Sequence, residues 1–352
     1  MKIVHAIFTF MTGGSETMLA DMVNRQCEEN SISLIIVKDL INKELLKSID
    51  SRVNIFLLDQ KGDPKLHFFS IFAKINATVA AINPDVIHCH DNTLFPFFIR
   101  WRRKTCITVH NVSLPILFLK QYRKVFAISK AVQADVRRRA KINSHIVYNG
   151  IEIAEYKQRT TFSLDAGEAF KIVQISRLYP QQKGQHIAIE AIHLLKQQYP
   201  ELKVRLYFIG EGDALSELQT IAEHYHLQNE IVFKGQADRS WIKNHLQDYH
   251  LLIQPSLFEG FGLTVIEGFA CGLPVIASNL DGPKEIVEYL KAGLLAEPNN
   301  AQDLAGKILE VYKAYIHNSL SNTNYLIPNK DRLKIFDVRT TAQTYIENYF
   351  HH

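Results

Sequence analysis

Short β-branched and apolar runs alternate with longer amphipathic stretches from the first residues onward. KIVHAIF precedes helical spacing over 15–29, ISLIIV precedes 40–49, VNIFLL precedes 64–82, VIHCH precedes 93–101, and TCITVH follows. Brief apolar runs separated by stretches of helical period are the βαβ rhythm. It continues through KVFAIS, a basic helix over 130–141 and HIVYNG, then lapses in the polar stretch 152–167, read as a linker. A second series predicts KIVQIS, a helix over 184–198, VRLYFIG, a helix over 213–225, EIVFKG, a helix over 239–246 and HLLIQPS. A helix over 262–271, PVIAS, a short helix over 282–289, GLLAE and a helix over 301–315 complete it. This order predicts an α/β protein of two doubly wound, Rossmann-like parallel-sheet domains, 1–160 and 161–334. Residues 316–334, rich in Asn, Ser and Lys, read as a connector, and 335–352 as a terminal helix with aromatic residues on one side. No internal repeat interrupts the scheme.

Composition agrees with two domains: 352 residues, 47% hydrophobic and 22% charged, can bury two ordinary cores. No apolar run reaches the 18 or more residues of a membrane span, and mean hydropathy is −0.08. The opening MKIVHAIFTF passes at once into Thr9 and TGGSE, so it reads as a first strand and not as a signal peptide. Cys27, Cys89, Cys106 and Cys271 are widely spaced with no CxxC pair, which argues for a reducing compartment and a cytoplasmic location. Charge divides unevenly. Residues 1–150 hold 21 Lys and Arg against 12 Asp and Glu, whereas the remainder holds 19 against 24. Arg100, Arg102 and Arg103 around Trp101, and Arg137, Arg138 and Arg139, are the candidate surface for an anionic membrane or an acidic acceptor. The same clusters also suit a solvated helix face. No nucleic-acid recognition motif accompanies them.

Open α/β sheets bind ligands beyond the carboxyl ends of their strands, so the residues that follow each strand matter most. After the first strand, Gly13 and Gly14 open a helix; glycine allows close backbone approach, and helix N-termini attract anions. A third glycine is missing, and no acidic residue closes the second strand, so this is not a nicotinamide fingerprint. After KIVQIS come Arg177 and Lys183, two cations around a loop that suit a diphosphate. The segment PSLFEGFGLTVIEGFACGLPVIAS, 256–278 extended by one residue, is the most informative. Its glycines leave backbone N–H groups free at a helix start. Glu259 before that turn is suited to hydroxyl donors. Glu267 lies on a crowded apolar helix, where an unpaired carboxylate is costly and a polar ligand would satisfy it. His88, His90, Asp91 and His110 offer either a metal-binding group or packing and acceptor contacts.

Glu-Gly-Phe-Gly-Leu-Thr-Val-Ile-Glu over 259–267, followed by Gly-Leu-Pro-Val-Ile-Ala-Ser, resembles retaining glycosyltransferase family 4, of GT-B fold. GGSE, Thr108-Val109-His110-Asn111, Ile128-Ser129-Lys130, Val147-Tyr148-Asn149-Gly150, Ser176-Arg177-Leu178, Gly210-Glu211-Gly212 and Gly282-Pro283 with Glu285 extend the resemblance across nearly the whole chain. The resemblance implies two domains facing across a cleft, with the terminal helix crossing back to the N-terminal one. It implies that Glu259 meets donor-sugar hydroxyls, Glu267 the nucleotide ribose, and Arg177 and Lys183 the diphosphate. Backbone amides of Phe261, Gly262 and Leu263 after Gly260 would complete the cradle, and Gly210 and Glu211 would join the donor site. Gly14 would stand beside the phosphates and His110 near the transferred sugar. The Arg177-to-Lys183 loop is one residue longer than the commonest form.

The implied activity moves a hexose or N-acetylhexosamine from a nucleotide-diphosphate sugar, UDP-linked first and GDP-mannose next, to a glycan or lipid-linked acceptor. Cell-surface polysaccharide or lipopolysaccharide synthesis would use it. The anomeric configuration would be retained, with Glu259, Arg177, Lys183 and His110 at the reaction and no cofactor. No metal is expected, since the chain contains no Asp-x-Asp pair and the cations can neutralise the diphosphate. A nucleotide-sugar epimerase of the same fold and a donor-binding protein without turnover are the alternatives.

Overall fold

The computed structural model describes all residues except 61–66, 166, 318–319, 321–325 and 351–352. The chain forms two compact units, 1–152 with 335–352, and 153–334. The division falls between Glu152 and Ile153, ahead of the 160/161 boundary read from composition. Residues past it pack along the second unit: the Lys157 amide donates to Lys243 O, the Arg159 amide to Cys271 O, and the Arg159 guanidinium to Gln247 O and Tyr249 O. This segment has no periodicity because its partners lie far along the chain.

The first unit holds seven strands: β1 Lys2–Ile7, β2 Ser31–Lys38, β3 Asn54–Gln60, β4 Val86–Cys89, β5 Thr105–Val109, β6 Lys124–Ala127 and β7 His145–Ile146. All pair in parallel, in the order β3-β2-β1-β4-β5-β6-β7. β2, SISLIIVK, is buried at every interior position, the signature of a strand with helices on both faces. The amphipathic stretches become helices Gly14–Gln26, Phe68–Ile82 and Lys130–Ala140, and 40–49 shortens to Lys43–Lys47. The start of the expected 64–82 helix lies outside the described residues. The helix read over 93–101 is instead a 3-10 segment, Asn92–Lys104, with non-helical Phe98. Pro96 lacks the N–H an α-helix needs and crowds the preceding turn.

The second unit repeats the winding with β8 Phe170–Ile175, β9 Val204–Ile209, β10 Ile231–Phe233, β11 Leu251–Gln254, β12 Val275–Ser278 and β13 Leu294–Ala296. Their order is β10-β9-β8-β11-β12-β13, again all parallel. Each sheet therefore reverses direction once, between β1 and β4 in the first unit and between β8 and β11 in the second. Those switch points are where crossover helices diverge and a crevice opens above the strand ends. The core beneath the second sheet is built from Ile187, Ile192, Leu206, Phe208, Leu251, Ile253, Ile308 and Tyr315, whose hydroxyl donates to His250 O. Part of the connector read over 316–334 lies outside the described residues.

The terminal helix, Val338–Asn348, belongs to the first unit and packs on Gly14–Gln26. Ile151 and Asp337 form a parallel bridge, and Arg123 and Lys124 donate to the carbonyls of Tyr349 and Asn348 at the helix end. Cations at these carbonyls satisfy groups that a helix C-terminus leaves open. Among the described residues, no helix is long and apolar enough to cross a membrane. All four cysteines are buried and free.

Candidate active site

The switch point of the second unit gathers the residues expected to bind a donor. Arg177 follows β8, Lys183 ends the short helix Pro180–Lys183, and Glu259 follows β11. Two buried glutamines hold this loop. Gln174 on β8 donates to Lys183 O at 2.7 Å, and Gln185 donates to Ser176 Oγ at 2.9 Å and Arg177 O at 2.8 Å. The amides of Leu257 and Phe258 both donate to Gln182 O, which ties the cation loop to the segment leading into Glu259. Gly184 makes the approach possible: its φ is +68°, and a Cβ there would stand 2.0 Å from Pro255 O.

Lys183 Nζ and Glu259 Oε2 lie 2.5 Å apart, with side chains 17% and 18% exposed. The family resemblance assigns the two separately, Lys183 to phosphate and Glu259 to sugar. The structure pairs them, so each holds the other's charge at the crevice. Arg177 is exposed and has no ion-pair partner among the described residues, leaving its guanidinium available to an anion. The helix Leu263–Ala270 begins at Gly262, with φ +107° and no side-chain cap, so first-turn N–H groups face the same end of the sheet.

Glu267 also has a partner that the sequence did not reveal. Tyr156 donates its hydroxyl to Glu267 Oε1 at 2.9 Å, and burial pushes the Tyr156 phenol well above its usual value. The carboxylate is therefore not left for a ligand alone to satisfy, as the apolar helix suggested. Tyr156 lies in the stretch read as a linker, and only its docking brings it here. Gly210 and Glu211 line a cavity of ≈ 1180 Å³ together with Arg177, Tyr179, Phe233 and Lys234. Lys183, Glu259 and Glu267 are not among that cavity's lining residues.

In the first unit, Gly13 caps the helix Gly14–Gln26 without a side-chain bond, and Glu16 folds back over this terminus to accept from Ser15 Oγ at 2.6 Å. A carboxylate already sits where the glycine pair was expected to admit phosphate, a favourable arrangement for the helix dipole. His110 follows β5 and is joined to His90, its Nε2 3.2 Å from His90 Nδ1. His90 Nε2 is 3.1 Å from His5 Nδ1, and His5 Nε2 is 2.8 Å from Gln26 Oε1. Among the described residues, the group whose ligand atoms lie within 4.8 Å of one another is His5, His88 and His90, not the set containing Asp91 and His110. Every nitrogen of the three is engaged, His88 with Tyr349 and Thr108. Asp91 instead accepts the Phe8 amide at 2.7 Å.

Burial lowers His5 and His110 to about 4 and holds His88 and His90 well below their usual value. In the unfolded chain these side chains take up protons near pH 6.5, while in the folded chain His5 and His110 exclude them until about pH 4. Folding stability is therefore present above pH 6.5 and lost as pH falls toward 4, by roughly 1.4 kcal/mol per pH unit for each histidine still neutral in the fold. Urea unfolding of the first unit at pH 7.5, 6 and 5 should show this decline; a flat profile would contradict neutral burial.

The basic surface is also less uniform than its sequence. Trp101 donates its indole N–H to Asn76 Oδ1 at 3.1 Å, so its polar edge serves the fold. Arg138 and Arg139 both bind Asp135, and the Arg139 guanidinium is foremost in holding that carboxyl down at about 2. Arg100, Arg102, Arg103 and Arg137 remain exposed. Arg102 and Arg103 line a groove of ≈ 770 Å³ with Phe95, Ile99, Lys120 and Arg123.

The chain is thus built of two doubly wound Rossmann-like units, with cations, a carboxylate and an uncapped helix start gathered at the switch point of the second. Residues 12–155 match the model of Glycosyltransferase Family 4 and residues 157–325 that of Glycosyl transferases group 1; the chain belongs to this family. The uncharacterized glycosyltransferase MJ1178 of Methanocaldococcus jannaschii is 30% identical over 190 residues, covering 53% of this chain and 49% of its own. The gpi3 subunit of phosphatidylinositol N-acetylglucosaminyltransferase from Schizosaccharomyces pombe is 26% identical over 285 residues, 73% of this chain and 60% of its own. The alignments thus span 60% or less of these relatives' lengths. The HepE protein of Anabaena, solved with UDP and glucose, superposes with a TM-score of 0.81 at 24% identity over 99% of this chain and 98% of its own.

Proposed function

We propose that the protein is a retaining, metal-independent glycosyltransferase that moves a hexose or N-acetylhexosamine from a UDP-sugar to an anionic glycan or lipid-linked acceptor in cell-surface polysaccharide synthesis. The observation that carries this reading is the Lys183–Glu259 pair at the β8/β11 switch point, with Arg177 unpaired beside it. A diphosphate entering the crevice meets Arg177 and the uncapped helix start, then draws on Lys183. Glu259, released from its cation, accepts donor-sugar hydroxyls. The bond from the anomeric carbon to the diphosphate oxygen breaks as the acceptor oxygen bonds that carbon on the same face, and the acceptor's proton passes to the departing diphosphate. Catalysis on this scheme is positional and electrostatic. UDP in the HepE structure and the name of the amylovoran biosynthesis glycosyltransferase AmsK of Erwinia amylovora support the donor and the setting. The groove of Phe95, Ile99, Arg102, Arg103, Lys120 and Arg123 suits an acceptor with both an anionic group and an apolar part.

A thermal-shift comparison of UDP and GDP, followed by a transfer assay in EDTA, tests the proposal. UDP at 100 times its Kd should stabilise the chain by about 2.7 kcal/mol, with GDP weaker. Labelled sugar should pass to a lipid-phosphate acceptor with chelator present. Conversion of the donor to a new nucleotide sugar without acceptor would indicate an epimerase, and binding without turnover a donor-binding protein.

A further inference from the structure

The buried histidines of the first unit form a hydrogen-bonded line with one direction. His5 on β1, His90 just past β4 and His110 just past β5 follow one another from Gln26 outward. Each is neutral near pH 7, since burial depresses all three. A neutral imidazole has one N–H and one lone pair, so a bond made through one nitrogen decides the role of the other. Gln26 Oε1 can only accept, which places the proton of His5 on Nε2. His5 Nδ1 then accepts from His90 Nε2–H, and His90 Nδ1 accepts from His110 Nε2–H. That leaves a lone pair on His110 Nδ1, and this atom is buried with no hydrogen-bond partner. A buried acceptor left unsatisfied is costly, and a ligand hydroxyl would relieve it.

We propose that Gln26, His5 and His90 are positioning residues that fix His110 as the Nε2–H tautomer, presenting its Nδ1 as the acceptor for a substrate sugar hydroxyl. The role of His110 at substrate rests on the glycosyltransferase reading; the tautomer does not. The second face of the cluster reinforces the line without joining it. His88 is bonded to Tyr349 and Thr108, and Thr108 to Tyr345, so the terminal helix packs its two tyrosines against the row and shuts it from water. The line extends from the helix Gly14–Gln26 to the end of β5, so a substitution at Gln26 acts on His110 through two intervening rings.

Long-range 15N–1H spectra of the full chain, labelled at histidine and without ligand, test this directly. His5, His90 and His110 should each show a protonated Nε2 and a bare Nδ1, with His110 assigned by its loss in His110→Asn. Nδ1–H in any of the three, as inversion of the Gln26 amide would produce, overturns the proposal, as does rapid averaging between tautomers. Gln26→Met, similar in length but lacking the acceptor, should turn the His110 signal into a tautomer mixture and lower kcat about tenfold with donor KM unchanged. Gln26→Glu, which keeps an acceptor, should restore the single tautomer and most of kcat. An unchanged His110 spectrum in folded Gln26→Met refutes the relay; if that variant does not fold, the wild-type spectrum still decides. Wild-type tautomers as expected in a chain that transfers no sugar would refute the functional reading and leave the relay standing.

Discussion

Replacement of Glu259 by alanine is expected to lower turnover by about 10²–10³-fold, the scale on which a single preorganised polar contact to a transition state is worth. Its side chain is about one-fifth exposed and sits against Lys183. The same substitution frees Lys183, so UDP should bind as tightly as to the wild type or more tightly. Lys183→Met should act in the other direction, weakening UDP and donor binding while leaving Glu259 without its cation. Because the two groups share a contact, the double variant should lose less than the two single losses together. Turnover and isothermal titration with UDP separate these effects. Near wild-type turnover in Glu259→Ala removes the site assignment, and weaker UDP binding in that variant contradicts the competition for Lys183.

Gly184→Ala is expected to cost the second unit on the order of 3 kcal/mol and most of its activity. Two causes combine. The left-handed φ of +68° disfavours any side chain, and the added Cβ meets the carbonyl oxygen of Pro255, a backbone atom, at 2.0 Å. The backbone must part where the cation loop touches the segment entering Glu259, so Lys183 moves with it. Gly306→Ala is the control. It lies in the helix Ala301–Ile316 with nothing within 4 Å of its Cβ position, and there alanine should stabilise by roughly 0.5–1 kcal/mol. Urea midpoints for the two variants measure the contrast; equal midpoints would mean that the close approach at Pro255 is easily relaxed.

The terminal helix and the two parallel sheets were legible in the chain because burial on both faces demands unbroken apolar runs, and ISLIIV and HLLIQPS supply them. Strand-end residues were legible in combination: each alone also suits a turn or a solvated loop, but Glu259 and Glu267 around a glycine turn, with Arg177 and Lys183 elsewhere, carry the family resemblance. Arg177, Lys183 and Glu259 stand out in the sequence for that reason. The 3-10 segment Asn92–Lys104 was misread as an α-helix because its apolar spacing hid the effect of Pro96.

Sequence alone therefore determined the winding, the family and the residues gathered at the β8/β11 switch point, since these follow from local periodicity and from short motifs. Tertiary structure decided who partners whom. Tyr156 reaches Glu267 across 111 positions, Lys183 reaches Glu259 across 76, and Gln26 and His90 meet His5 from 21 and 85 positions away. Hydrogen bonds and ion pairs act over a few ångströms of space, and separation along the chain carries no trace of them until the sheets close.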